Sequence, residues 1–213
     1  MARVVNLKHR TDRWEQIQED FKDAPFQLER YDAIHSTSGT RGLFYTHYKM
    51  ITEAKERGDA TLLVLEDDAK PCKDYQRRWK LIKEYLDTHM DEWEVFNGGI
   101  LETRQLFENP RSIVDPETPA VLFDAVRGGC ATFLYFNVNA MFDKLNKWED
   151  YSGFECDVYY VEKAKTIACF PFLAIQNDGF SDIEQRFRGL QDWFIKEEMF
   201  LKMVLNKYIK RSM

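Results

Sequence analysis

Three consecutive acids, Glu66-Asp67-Asp68, follow directly on the continuous apolar run Thr61-Leu62-Leu63-Val64-Leu65. Such a run is typical of a central strand covered on both faces, and open α/β sheets bind ligands beyond the carboxyl ends of their strands. Alternation along an extended chain sends Glu66 and Asp68 to one side and Asp67 to the other. Two carboxylates on one side repel each other unless a cation or a proton separates them. Oxygen ligands of this kind suit Mn²⁺ or Mg²⁺, with phosphate oxygens and water in the remaining positions. An acid run can also do no more than solubilise a turn; the buried strand before this one favours metal or ligand work.

Several weaker candidates accompany the acids. Arg127-Gly128-Gly129 precedes a strand, where glycines either make a tight turn or let backbone approach a ligand; Asn97-Gly98 offers the same two readings. Arg10 and Arg13 sit on an early helix as solvated charges or as phosphate contacts. His47, with Phe44, Tyr45 and Tyr48 around it, reads as a hydrogen-bonded packing residue or a ligand. Asp157 and Glu155 open a helix, where an acid is ordinary because the helix dipole favours it.

The elements that must position these groups alternate apolar strands with amphipathic helices, the pattern of an α/β sandwich. Val4 to Leu7 is a first strand; Thr11 caps a helix whose Trp14, Ile17 and Phe21 face the core. Phe26 to Ala33 is a second strand, and Ser36 to Gly42 a loop. A helix from Leu43 to Arg57 closes at Gly58. Tyr75, Trp79, Ile82 and Leu86 mark another helix, and Glu94 to Asn97 and Ala131 to Phe136 further strands. Glu108 to Pro119, with its three prolines among charges, reads as a mobile surface loop. Helices over Asn139 to Trp148 and Phe154 to Lys165, a strand from Phe170 to Ile175 and a helix from Leu190 to Tyr208 complete the chain. No repeat or linker interrupts the pattern, and one domain over 1–213 fits best.

Composition narrows the functions. The chain has 213 residues, 44% hydrophobic and 15% aromatic, enough for a real core. Lys+Arg 30 against Asp+Glu 36 gives a net charge of -6, which argues against nucleic acid, since phosphate-backbone binding needs a basic face. A nucleotide stays open. No apolar run reaches the ~20 residues of a transmembrane span, and the start carries no secretory pattern. Cys72, Cys130, Cys156 and Cys169 lie far apart with no Cys-x-x-Cys pair, as expected of reduced thiols in the cytoplasm. P-loop, dinucleotide-binding and nucleophile-elbow motifs are missing.

Leu63 to Ala69, LVLEDDA, preceded by GLFYTHYKMITEAKERGDA from Gly42, resembles the family 25 glycosyltransferases, which include lipopolysaccharide and collagen galactosyltransferases. Gly42, Thr46 and His47 match that family's Gly and Ser-His, with Thr replacing Ser. VVNLKHRTDRW from Val4 is similar to its opening strand, and TFLYFNVNAMFDKL from Thr132 to its later strand and helix. The chain as a whole also resembles a viral glycosyltransferase domain, which would work in the host cytoplasm.

The resemblance implies a GT-A fold, a mixed, mostly parallel central sheet with helices on both faces. It also implies a UDP-sugar donor, a glycan or glycoprotein acceptor, and a monomeric domain. By the same resemblance Glu66 and Asp68 hold Mn²⁺ or Mg²⁺ on the donor diphosphate. Asn6, Arg10, Arg13, Gly42, His47, Asp67, Arg127, Gly128 and Gly129 then surround the nucleotide sugar. Many GT-A enzymes supply a late His to the metal, and here no His lies late. Gln176, Asn177 or Asp178, on the acceptor or phosphate side with Asn97 and Gly98, takes its place, or water does. Asp157, with Glu155 behind it, falls where inverting enzymes of this fold carry their base. Two alternatives stay beside this reading: a non-catalytic nucleotide-sugar or glycan-binding module, and a metal-dependent nucleotidyltransferase.

Overall fold

The computed structural model describes residues 1–103, 107–113, 118–147, 155–183 and 185–210. Eight strands form the central sheet: β1 (Ala2–Asn6), β2 (Leu28–Asp32), β3 (Thr61–Glu66), β5 (Val95–Asn97), β6 (Phe107–Ile113), β7 (Ala120–Ala125), β8 (Phe133–Asn137) and β9 (Thr166–Phe170). Their order is β2-β1-β3-β8-β5-β9-β7-β6. Pairings are parallel for β1 with β2 and β3 and for β5 with β9, and antiparallel elsewhere, so only β8 and β7 run against the other strands. The result is the mixed α/β sheet of a GT-A-like fold, with six of its eight strands running in one direction. Two short antiparallel pairs stand beside it, β4 (Ala69–Pro71) with β10 (Ala174–Gln176) and the hairpin β11 (Gly179–Ser181) with β12 (Arg186–Arg188).

Period-two alternation decides which face each strand side chain covers. On one face Val4, Leu63, Leu65, Phe96 and Phe133 pack under helices α1 (Thr11–Asp20) and α3 (Tyr75–Thr88), through Ile17, Phe21, Trp79 and Ile82. On the other face Val5, Leu62, Val64, Leu134 and Phe136 meet α2 (Gly39–Glu56), α4 (Val138–Leu145) and α5 (Cys156–Lys163). A third cluster joins Val121, Phe123, Ala168 and Phe170 to Phe194, Leu201 and Leu205 of α6 (Gln191–Lys210). Among the described residues no helix is long and apolar enough to cross a membrane.

Several boundaries differ from the sequence reading. Thr11 is the first helical residue of α1 rather than its cap; Arg10 takes that place and caps with no side chain. The segment 39–42 is helical, because Ser38 Oγ accepts from the Arg41 N–H and starts α2 four residues early. Described residues of the expected 108–119 loop form the edge strand β6. Pro110 sits there at a register shift, where a missing N–H is tolerated. β7 was hidden behind that loop. The expected strand 170–175 is split into the ends of β9 and β10. Helix ends expected at Trp148 and Phe154 lie outside the described residues. On α6, Phe194 is buried and Trp193 is half exposed.

Candidate functional site

A cleft of about 1160 Å³ opens where β1 and β3 end, and the acids after β3 form its floor. β3 stops at Glu66 and the chain turns, so the side-chain alternation expected through Asp68 does not hold beyond Glu66. Asp67 and Asp68 both reach one guanidinium nitrogen, Arg13 Nη1, at 2.7 and 3.0 Å. Asn6, buried at the end of β1, fixes the rest: its Nδ2 donates to Asp67 Oδ2 at 2.6 Å and to the Arg10 carbonyl at 3.0 Å. Gln176 Nε2 donates to Asp68 Oδ2 at 2.7 Å from β10.

The remaining acceptors on this floor are under electrostatic tension. Asp68 Oδ1 is buried and has no hydrogen-bond partner. Burial, then the charges of Asp68, Asp157 and Asp67, push the Glu66 carboxyl well above the usual range. Asp67 is raised too, by burial and by Asp68, although Arg13 and Asn6 oppose the shift. Burial works against the charge of Arg13, but Asp68 and Asp67 outweigh it and raise its pKa. One guanidinium among four carboxylates leaves the floor short of positive charge.

Asp157 stands in the first turn of α5 and is the link between helix and loop. Its Oδ2 accepts from the Cys130 N–H at 2.5 Å and its Oδ1 from the Val158 N–H at 3.0 Å. Gly129 makes this approach possible, since a Cβ there would stand 3.0 Å from Asp157 Oδ2. Gly128 has φ +142, and a Cβ there would meet Ile100 at 2.7 Å and the Leu101 carbonyl at 2.8 Å. The loop is tied across by paired Leu101–Gly129 backbone bonds of 3.0 Å.

Arg13, Glu66, Asp67, Asp68, Arg127, Gly128, Gly129, Glu155, Asp157 and Gln176 therefore share one cleft. The other expected site residues lie outside its lining. His47 lies wholly in the core, its Nδ1 2.8 Å from the Tyr160 hydroxyl, and burial lowers its pKa to about 4. Gly42 packs α2 against the chain after β2, where a Cβ would meet the Ile34 carbonyl at 2.5 Å. Arg10 pairs with Asp12 and Asp182. Asn97 Nδ2 supports the loop through the Cys130 carbonyl at 2.7 Å, and Gly98 lies against the Phe133 ring. Asn177 bonds Asp20 at 3.3 Å, and Asp178 Oδ1 accepts from the Gln191 N–H at the start of α6. Asn6, though outside the lining, acts through Asp67.

Sequence reasoning missed Cys130, whose N–H holds Asp157 at φ +83, and the segment Ser36 to Thr40 that starts α2 along one wall. It also missed the hairpin β11–β12, whose Phe180 carbonyl accepts from Arg13 Nη2 at 2.6 Å, and Trp193 at the opposite wall. The Ser-Thr-Ser-Gly run could have signalled the helix start. Nothing local marks the other three.

Among the described residues, no three His, Cys, Asp and Glu side chains gather into a ready-made metal cage. The Glu66 and Asp68 pair still fits a divalent ion whose other ligands come from a diphosphate. The orphaned Asp68 Oδ1 and the opposed ionisation of Glu66 are what such a cation would relieve.

No family model matches the chain, and no curated protein is recognisably similar in sequence. Among solved structures, A197 from STIV is similar over 88% of this chain and 93% of its own, at 16% identity and TM-score 0.45. The 4-diphosphocytidyl-2C-methyl-D-erythritol synthase of Anaerococcus prevotii is similar over 94% and 78%, at 9% identity and TM-score 0.39. HddC from Yersinia pseudotuberculosis, complexed with GMP-PN, is similar over 95% and 100%, at 11% identity and TM-score 0.33. These are distant likenesses, and the functional reading rests on the residues of the cleft.

Proposed function

We propose that the chain is a single metal-dependent glycosyltransferase domain, acting as a monomer, that moves a sugar from a UDP-sugar to a hydroxyl of a glycan or glycoprotein. The observation that carries this reading is the acid floor at the carboxyl ends of β1 and β3. Glu66 and Asp68 converge there with one buried oxygen unpaired, beside a cleft large enough for a nucleotide sugar. The resemblance of LVLEDDA and its upstream helix to family 25 enzymes supports the same assignment.

Glu66 and Asp68 would hold Mn²⁺ or Mg²⁺, which when bound neutralises charge on the departing diphosphate. Arg13 orients Asp67 and Asp68, and its own charge adds to the attraction for phosphate. Gly128 and Gly129 keep that wall free of side chains, so the sugar can approach the backbone. Asp157 takes the acceptor proton as the hydroxyl attacks the anomeric carbon from the face away from the diphosphate. Its two backbone bonds fix its position and leave further lone pairs to accept that proton. Glu155, exposed at the mouth of the same cleft, is the second carboxylate within the proposal.

Thermal shift with UDP-sugars, with and without Mn²⁺, tests the reading. Ligand at ~100 times its dissociation constant adds about 2.7 kcal/mol of stability. The expected product is UDP with inversion at the anomeric carbon. Pyrophosphate release would identify a nucleotidyltransferase, and tight binding without turnover a binding module.

A further inference from the structure

The cleft has two chemically different walls. Charge and hydroxyls line the side built by α1, the end of β3 and the start of α2. The opposite side is apolar and aromatic: Leu101, Val126, Val158, Val161 and Leu190 lead up to Trp193. Leu101, Val161 and Leu190 are buried in the third core cluster, so they form a firm backing. Trp193 is not packed into that backing: half its surface, 50%, is exposed to the cleft mouth. Its place is set by its backbone N–H, which donates to the Leu190 carbonyl at 2.9 Å in the first turn of α6.

A flat indole standing in a cleft, with carboxylates lining the same cleft, matches the chemistry of a pyranose. Such a ring has one face of C–H groups that packs on an aromatic surface, and a rim of hydroxyls that donate to acceptors. Glu102 and Glu162 line the same cleft.

We propose that Trp193 and the apolar wall behind it form the acceptor subsite, which takes a neutral pyranose of a glycan by stacking on the indole. This rests on the glycosyltransferase reading and extends it. It moves the acceptor away from Asn97, Gly98, Asn177 and Asp178, which lie outside the lining, to the side facing Arg13 and the acids. Asp157 and Gly129 line the cleft between the two substrates, where an acceptor hydroxyl must lose its proton.

The test uses a panel of methyl hexopyranosides and lactose as probes, read by saturation-transfer difference NMR on the full chain. At least one saccharide is expected to bind the wild type. Trp193→Ala should weaken it by about tenfold, the equivalent of 1.4 kcal/mol, and Trp193→Phe should keep most of the affinity. The thermal shift by UDP with Mn²⁺ should be the same in all three proteins. Saccharide binding unchanged in Trp193→Ala, or no binding by any probe to wild type, overturns the subsite. If UDP with Mn²⁺ gives no shift while saccharides bind at Trp193, the donor reading falls and the subsite stands. If UDP shifts the protein and Trp193→Ala binds saccharide normally, the reverse holds.

Discussion

The half of the sheet made by β2, β1 and β3 and the half made by β9, β7 and β6 meet the same cleft on different terms. In the first half parallel strands end together, and each end delivers a polar side chain: Asn6 from β1, Glu66 from β3, Asp67 and Asp68 just beyond. Their charges are held apart by one half-buried guanidinium, of Arg13, and one buried amide, of Asn6. In the second half the antiparallel β7 and the helix α6 close an apolar core behind the cleft. The lesson is a division of labour. Charge is concentrated where strand ends and long-range partners can fix it, and shape is left to the apolar side.

The junction of the two halves is the place to break that division. Asp157→Asn should lower turnover ~10²- to 10⁴-fold, the usual worth of a general base, with UDP-sugar affinity nearly unchanged. Both Asp157 oxygens accept backbone N–H groups, so Asn can keep only one of these bonds. A loss of about 1–2 kcal/mol in chemical denaturation should accompany the kinetic effect. Near-normal turnover in single-turnover assays moves the base to Glu155.

Gly99→Ala probes the apolar side, where a new Cβ would fall 2.0 Å from the Ala174 carbonyl. The backbone must shift, at a cost of about 3 kcal/mol, and urea denaturation would show it. A variant as stable as wild type would mean that the 98–101 connection yields easily and cannot be the firm backing described here.

The helical layer behind the charged half has its own pH signature. His47 stays neutral in the fold down to about pH 4, whereas in the unfolded chain it takes a proton near 6.5. Between those values the unfolded state binds more protons, so stability falls as pH drops through the window, by about 3 kcal/mol in all. In His47→Leu that part of the acid slope should disappear, with loss of the His47–Tyr160 hydrogen bond at neutral pH. An acid slope identical to wild type would assign the loss to other groups.

The smallest effect concerns Glu66. Its ionisation is opposed in the folded state, so Glu66→Gln should modestly stabilise the metal-free protein at pH 7. Stabilisation by UDP with Mn²⁺ should then shrink. Asp68→Ala should do the opposite to the metal-free protein, because it strips an acceptor from Arg13 and from Gln176. Equal Tm changes in the two variants would show that both acids serve one structural network.

The legible parts of the fold were those with a local cause. The continuous run Thr61 to Leu65 announced a buried central strand, and the three- and four-residue spacing of Trp14, Ile17 and Phe21 announced a helix face. β6 was illegible because Pro110 and its charged neighbours are loop residues anywhere but at a sheet edge. His47 matched a motif yet went to the core, because the face of α2 that carries it is the face that packs on Phe136 and Tyr160.

By itself the sequence determined that acids follow a buried strand, and strand order makes that a ligand crevice in any open α/β sheet. It could not determine who neutralises them. Arg13 reaches Asp67 from 54 residues away and Gln176 reaches Asp68 from 108, and only the folded chain brings such partners together. Asp157 shows the same limit: an ordinary first-turn acid in sequence, it becomes the anchor of the 127–130 loop through the Cys130 N–H, with Gly129 leaving room beside it. Local spacing selects elements, but burial and charge pairing at a site are settled by which distant elements come to lie side by side.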